Sequence, residues 1–494
     1  MSQPGMTSVS AGPDPSTQGA SPPAPQGYSE PSTQPSSSGP ILSSDAYLGD
    51  FNAQGSEVPP DSQVASNGTY IAVAENTYLT TYTGSGSVVN SLNFCNLTYS
   101  NGTGLPYVNC TDPKLIFDDQ TNSWLMSFLN YGYTSPSNTG PSELLLYVSY
   151  NSDPTQGGEL YNVLNDSQYI SDEPKMGVGS DLLIAASDFV NQTTPTNPEL
   201  SDIAYLSLAD LQNNEIYGVY WNGGAGNGFP GWELDPQITS GPADYEEGFD
   251  STFAPETSDG YVATGLERIW AFDGDPGAGK VYAEWTNWQY PDDSAAPNVP
   301  QPHTSVQLDG GGTVVQSTAY AYDPSIATGV MWTTSNGTCA QTLETCSDLS
   351  EYVVQGSTLN GYPVGIPVSL RISSYIGVGS YDQYMVYASL TVVNSSSYDV
   401  FGVATYGDNN SIYPSVLTFV INGNSGAVTG FAPPDGVANQ AYTCGEPVCR
   451  WGDYNDAARV GQGSPNVVTV GQYSTNKLNN SNGYLLLVSG LNDS

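Results

Sequence analysis

From residue 46 onward the chain is a succession of short β-rich runs bounded by clusters of Gly, Asn, Asp and Pro, with almost no helical periodicity. The runs are Tyr70–Glu75, Tyr78–Tyr82, Leu144–Tyr150, Leu182–Ser187, Ile203–Leu208, Arg268–Phe272, Val281–Trp285, Val314–Tyr322, Tyr384–Val393, Val400–Ala404, Val416–Val420 and Tyr484–Ser489. One helical turn is expected near Ser207–Gln212. An all-β chain of this length must either split into sandwiches or close radially, because open twisted sheets rarely exceed ~10 strands. Length alone would allow about three domains.

Internal repetition decides for closure. Asp112-Pro113-Lys114-Leu115-Ile116-Phe117-Asp118 opens one unit, and Glu173-Pro174-Lys175-Met176-Gly177-Val178 opens another about sixty residues later. Similar strand clusters start near 67, 245, 305, 383 and 450. Units of about sixty residues suit four-stranded blades with decorated loops. The expected fold is therefore an all-β β-propeller over residues 46–494, with seven blades and six as the alternative. Residues 1–45 are low-complexity Ser/Pro/Gly/Gln sequence and form an extended N-terminal arm. Such composition cannot offset its own ordering entropy, so it reads as a tether, ordered only by packing against a neighbouring subunit.

Charge narrows the partners. The chain of 494 residues carries 49 acidic and 8 basic side chains, a formal net charge of −41. The imbalance comes from missing Lys and Arg, since charged residues total 12% against ~25% in ordinary soluble domains. Nucleic acid is excluded as a partner, because phosphates need Lys and Arg. Uncharged polar surface keeps its charge as carboxylates titrate, which suits an acidic extracellular habitat. No apolar run approaches the roughly 20 residues of a membrane span. After Met1 there is no apolar leader core either. Either the numbering begins after a removed leader, or the protein leaves the cell otherwise, for instance within a virion.

The 6 cysteines fall in close pairs: Cys95 with Cys110, Cys339 with Cys346, and Cys444 with Cys449. Spacing alone does not select the connectivity; local pairing is the simplest arrangement, since each pair brackets a turn-rich segment. With His303 as the 1 histidine and no C-x-x-C, zinc is disfavoured, and structural disulfides in an oxidising compartment are expected.

Near the C-terminus stands Cys449-Arg450-Trp451-Gly452-Asp453-Tyr454-Asn455-Asp456-Ala457-Ala458-Arg459-Val460. This resembles the Arg-Trp-Gly-Asp-Tyr motif of a family of secreted, sialidase-like β-propeller proteins from bacteria and archaea. Asp112–Ser127 looks like that family's "DPKVLYD…RWVLS" blade, Glu173–Phe189 like "PKLGV…N-F", Pro300–Tyr322 like "Q…KLD…R", and Tyr413–Val416 like "YPSI". The resemblance runs in the same order over most of 60–490, and it implies a propeller and an extracellular setting. It implies no reaction, since function must be argued from a site. The chain also departs from true sialidases. It has no Ser-x-Asp-x-Gly-x-Thr-Trp box, and the arginines for a substrate carboxylate would have to come from Arg268, Arg371, Arg450 and Arg459.

Several residue groups are candidates for chemistry. Lys114, Lys175, Arg450 and Arg459 lie inside the repeated or family-like motifs, together with Trp451, Asp453 and Tyr454. They either surround a central channel and bind an acidic ligand, or form ion pairs with Asp112, Glu173, Asp453 and Asp456 that fix blade register. The second reading is favoured. His303, with Ser305 and Asp309, lacks a Gly-x-Ser-x-Gly elbow and reads as a turn histidine. Gly274–Lys280 lacks the helix a phosphate loop needs. Asp244, Glu246, Glu247 and Asp250 form the densest acidic cluster, a solvated loop by default, with calcium ahead of a catalytic carboxylate pair.

Aromatic residues crowd segments rich in Gly, Pro and Asn: Trp221, Trp232, Trp285, Trp288 and Tyr290, with Tyr217, Tyr220 and Phe229 near them. They suit glycan or protein-surface binding as well as blade packing. N-x-Ser/Thr sequons stand at Asn67, Asn96, Asn101, Asn109, Asn165, Asn191, Asn336, Asn394, Asn409, Asn479 and Asn492, many in expected turns. The combined expectation is an extracellular, surface-exposed glycoprotein on a cell or virion, in a thermoacidophilic archaeon. It would serve non-catalytic recognition or adhesion, or act as a subunit of an extracellular assembly joined through the N-terminal arm. The competing class is a secreted glycan-active hydrolase with a carboxylate pair at the propeller mouth.

Overall fold

The computed structural model describes residues 6–8, 44–52, 61–132, 142–166, 169–179, 182–191, 198–213, 218–221, 246–253, 256–257, 260–261, 266–275, 280–289, 298–309, 315–323, 328–338, 345–354, 358–359, 362–363, 368–376, 383–393, 399–422, 428–432, 441–451, 455–461, 464, 466–474 and 481–489. They are mostly β-strand. The larger sheets follow one another along the chain, each an antiparallel up-and-down meander.

Sheet I comprises Gln63–Ser66, Tyr70–Glu75, Tyr78–Thr83 and Val88–Asn93. Sheet II comprises Asn109–Asp118, Ser123–Tyr131, Ser142–Ser149 and Gly158–Asp166. Sheet III holds Tyr169–Val178, Leu182–Asn191, Pro198–Ser207 and Gly218–Trp221. Sheet IV holds Glu246–Phe253, Leu266–Asp275 and Lys280–Gln289. Sheet V holds Val315–Asp323, Thr328–Thr338, Thr345–Val354 and Val368–Ile376. Sheet VI holds Gln383–Val392, Val400–Asp408, Ser415–Ile421 and Val428–Ala432. Sheet VII holds Asp456–Arg459, Val467–Ser474 and Ser481–Ser489.

The N-terminal region supplies the outer strands of two sheets. Ser44–Asn52 pairs antiparallel with Ser481–Ser489, so the fourth strand of sheet VII comes from the opposite end of the chain. Met6–Ser8 pairs parallel with Gly218–Tyr220 as a fifth strand on sheet III. The expected helical turn forms at Leu208–Gln212, where the Ser207 side chain caps the Asp210 N–H.

The opening strands touch one another in series. Gln63–Ser66 contacts both Asn109–Asp118 and Asp456–Arg459, and Asn109–Asp118 contacts Tyr169–Val178. Glu246–Phe253 contacts Val315–Asp323, which contacts Gln383–Val392, which contacts Asp456–Arg459. The core lies between neighbouring sheets. Trp124, Phe128 and Leu145 of sheet II meet Ala72 and Leu79 of sheet I on one side. Leu125, Leu144 and Leu146 meet Met176, Leu183 and Leu206 of sheet III on the other. Inner strands are thus covered on both faces, and Ser142–Ser149 is buried throughout. A further cluster of Val299, Leu308, Tyr384, Tyr442 and Trp451 seals one end of sheet VI. Among the described residues no helix is long and apolar enough to cross a membrane.

The opening strands of sheets II, III and VI share a backbone device. Pairing slips between Thr111 and Lys114, between Asp172 and Lys175, and between Val386 and Ser389. Asp112 and Tyr387 inside two of these bulges have φ of 51° and 56°, and Asp61, two residues before Gln63, has φ 44°. Such conformations are costly for a tyrosine. Tyr387 is held by its hydroxyl, which donates to the Asp309 carbonyl at 3.1 Å, and by its own carbonyl, which accepts from Asn455 Nδ2 at 2.8 Å. A bulge re-aims the side chain that follows it. Lys114, Lys175 and Ser389 occupy that position, and Gln63 and Asp456 open the paired segments of their own sheets.

Candidate functional site

Two of the post-bulge residues, Lys114 and Ser389, act on Asp456. Its Oδ2 accepts the Val64 N–H of sheet I at 2.8 Å, and its Oδ1 accepts the Ala457 N–H at 2.9 Å and the Ser389 hydroxyl of sheet VI at 3.3 Å. Lys114 of sheet II interacts with it electrostatically. Loss of hydration raises the Asp456 pKa to about 6, against the backbone N–H groups, the Lys114 charge and the Ser389 hydroxyl, which pull it down. One carboxylate therefore hydrogen-bonds across sheets I, VI and VII, under the influence of the Lys114 charge of sheet II. Lys175, the matching residue of sheet III, is buried at 3% exposure although it is a lysine.

At the far end of the Asp456–Arg459 strand, Arg459 faces Asp119 of sheet II. Burial raises the Asp119 pKa, with Asp118 adding to the rise and Arg459 opposing it. Burial likewise lowers Arg459, opposed by Asp119. Its Nη2 donates to the Ser464 carbonyl at 3.5 Å. Lys114 and Arg459 thus act electrostatically on Asp456 of sheet VII and on Asp119, which follows the opening strand of sheet II.

The Arg-Trp-Gly-Asp-Tyr stretch is a packing motif where it is described. Trp451 is 1% exposed, donates Nε1–H to Thr405 Oγ1 at 3.2 Å, and meets Tyr442 edge-on at 5.0 Å between ring centroids. Gln472 Nε2 donates to the Trp451 carbonyl at 2.5 Å, and Asn455 Nδ2 donates to Thr405 Oγ1 at 3.2 Å. Arg450 is exposed. Asp453 and Tyr454 lie outside the described residues.

The other candidates are placed unevenly. Trp221 ends the fourth strand of sheet III, and Trp285 and Trp288 lie on Lys280–Gln289 opposite Trp270 and Glu267. Trp232 and Tyr290 lie outside the described residues. Glu246, Glu247 and Asp250 are on the opening strand of sheet IV, opposite Phe272, Ala271 and Ile269, and Asp244 lies outside the described residues. His303 stands in a turn with φ 57°, its ring 6.4 Å from that of Tyr413.

Cys95–Cys110 and Cys444–Cys449 are disulfides. Cys346 lies on Thr345–Val354, and Cys339 lies outside the described residues. Of the sequons, Asn96, Asn101 and Asn409 are exposed, while Asn67 and Asn109 are partly buried. Asn67 is also engaged, its Nδ2 donating to the Ser152 carbonyl at 2.7 Å. Asn165, Asn191 and Asn336 are on strands. Asn394, Asn479 and Asn492 lie outside the described residues.

One polar cluster had no signal in the sequence. The Tyr99 hydroxyl donates to Glu143 Oε2 at 3.1 Å, and burial raises the Glu143 pKa although Tyr99 and Asn162 lower it. Tyr99 and Glu143 are 44 residues apart, in a sequon loop and a buried strand.

No family model matches the chain, and no curated protein matches it. Solved structures similar to it are sialidase-like and WD40 propeller proteins at low identity. The parainfluenza virus 5 hemagglutinin-neuraminidase ectodomain is 10% identical, with TM-score 0.42, over 78% of this chain and 82% of that one. The intramolecular trans-sialidase of Ruminococcus gnavus, solved with oseltamivir carboxylate, is 10% identical, with TM-score 0.35, over 74% and 92%. The Pan2 WD40 domain of Neurospora crassa is 11% identical, with TM-score 0.37, over 90% and 96%.

Proposed function

We propose that the chain is a seven-bladed β-propeller that serves on an extracellular surface as a non-catalytic recognition or assembly protein. Each of sheets I to VII is one blade, and Ser44–Asn52 closes the ring on sheet VII. The observation that carries the non-catalytic reading is the saturation of Asp456. Its oxygens are taken up by the Val64 and Ala457 N–H groups and the Ser389 hydroxyl, with Lys114 beside it. A carboxylate whose oxygens are taken up by donors of its own fold clamps blades together. The arginines fit the same reading. Arg268 is on sheet IV, Arg371 on sheet V, and Arg450 and Arg459 are before and in sheet VII, with Arg459 donating to the Ser464 carbonyl. Recognition falls to the uncharged aromatic segments around Trp221, Trp232, Trp285, Trp288 and Tyr290, which need no cations to bind glycans or protein surfaces. Disulfides support an oxidising, extracellular setting.

The test is incubation of the full chain with host and bacterial polysaccharides and sialylated conjugates, scoring both products and binding. Binding that weakens in Trp288→Ala, without product release, is the expected result. Product release abolished by Glu246→Gln or Glu247→Gln would make the protein a glycan-active hydrolase instead.

A further inference from the structure

We propose that Met6–Ser8 is a donor strand that completes sheet III of a neighbouring copy, linking chains head to tail. The acceptor is a defined edge. Met6, Thr7 and Ser8 pair in parallel register with Gly218, Val219 and Tyr220. Without them the outer backbone of Gly218–Trp221 is a free sheet edge, the kind of surface that recruits an added strand. The bonds are main-chain, so a second copy's segment fits this edge as well as the chain's own.

Two observations favour the second copy, and the length of the arm permits it. First, the same N-terminal stretch also delivers Ser44–Asn52 to sheet VII. In the ring order proposed above, on which this inference rests, sheets III and VII are three blades apart, so a connection within one chain must pass around nearly half the rim. The segment between Ser8 and Ser44, about 35 residues, reaches up to ~120 Å when fully extended. That length spans to a neighbour as readily as around the rim. Second, two copies of net charge −41 repel each other, whereas residues 1–43 contain only Asp14 and Glu30 as charged side chains. The nearly neutral arm is the part of the molecule that approaches another copy at least electrostatic cost. Donation in one direction is heterologous, so it builds open chains rather than closed dimers.

The test mixes full-length Thr7→Cys protein with full-length Val219→Cys protein and adds a short bismaleimide cross-linker, with the parent chain treated in parallel. A cross-linked dimer that appears in the mixture, and is absent when Val219→Cys is replaced by the exposed control Ser85→Cys, is the expected result. A mixture without the dimer overturns the proposal, whether or not a chain carrying both substitutions cross-links within itself. Equal dimer yield with Ser85→Cys also overturns it. Either failure leaves the binding and turnover assays above unaffected, so the two readings fail separately.

Discussion

Asp456 shows what a single side chain does in this fold. Its folded pKa of about 6 exceeds the ~3.9 of an unfolded aspartate, so the folded chain binds the proton more tightly between those values. The stability this group contributes is full below about pH 4, declines as pH rises, and is lost above about pH 6. At ~1.4 kcal/mol per pKa unit the effect is at most ~3 kcal/mol. Asp456→Asn cannot titrate. The melting temperature of the parent, relative to this variant, should be highest at pH 4 and fall by pH 7. A difference that stays flat or grows with pH in scanning calorimetry would contradict the assignment. Asp408 works in the opposite sense. Burial would raise it, but the N–H groups of Ile412, Ser411 and Asn410 outweigh burial and lower it. Its contribution is lost in acid.

Residue-level legibility followed the same division. Lys114 and Lys175 were legible because an acidic-Pro-Lys repeat stands out in a chain with so few cations. Asp456 was read as one possible ion-pair partner among four acids, while Gln63 and Ser389 gave no signal, although they occupy related positions. The likeness there is a backbone conformation, seen at Asp61, Asp112 and Tyr387, and unrelated side chains can adopt it.

At the scale of elements, the strands were legible and their faces were not. Leu144–Val148 and Val400–Ala404 are buried throughout, so the alternation that assigns an inner and an outer face is missing. The disulfides act locally on these elements. Cys95–Cys110 closes a 15-residue separation and joins the short helix Phe94–Asn96 to the opening strand of sheet II. Cys444–Cys449 closes a separation of 5. In the chain-entropy account the first stabilises by ~3 kcal/mol and the second by ~2 kcal/mol. The double variant Cys95→Ser/Cys110→Ser should therefore unfold at lower urea than Cys444→Ser/Cys449→Ser, and the reverse order would show that native packing at Cys449 outweighs loop length.

At the scale of the molecule, the decisive contact joins the two ends of the chain. The low-complexity composition assigns Ser44 and Asp45 to the arm, whereas Ser44–Asn52 is a strand whose pairing with sheet VII slips between Tyr47 and Gly49. The run blends into the Ser/Pro/Gly sequence before it. The succession of antiparallel sheets along the chain was legible from repeat spacing. Radial closure was read from the same repetition, but the segment that pairs with Ser481–Ser489 was not, since nothing in a strand's own sequence names a partner more than four hundred residues away.

Closure is also the claim most directly open to measurement. Two truncations differ only in that strand: one removes residues 1–43 and the other removes residues 1–52. Amide hydrogen exchange over Ser481–Ser489 should match the full chain in the first. In the second, protection there should collapse and melting should fall, because the last strand of sheet VII becomes an open edge. Unchanged protection in both would mean that Ser44–Asn52 does not close the ring.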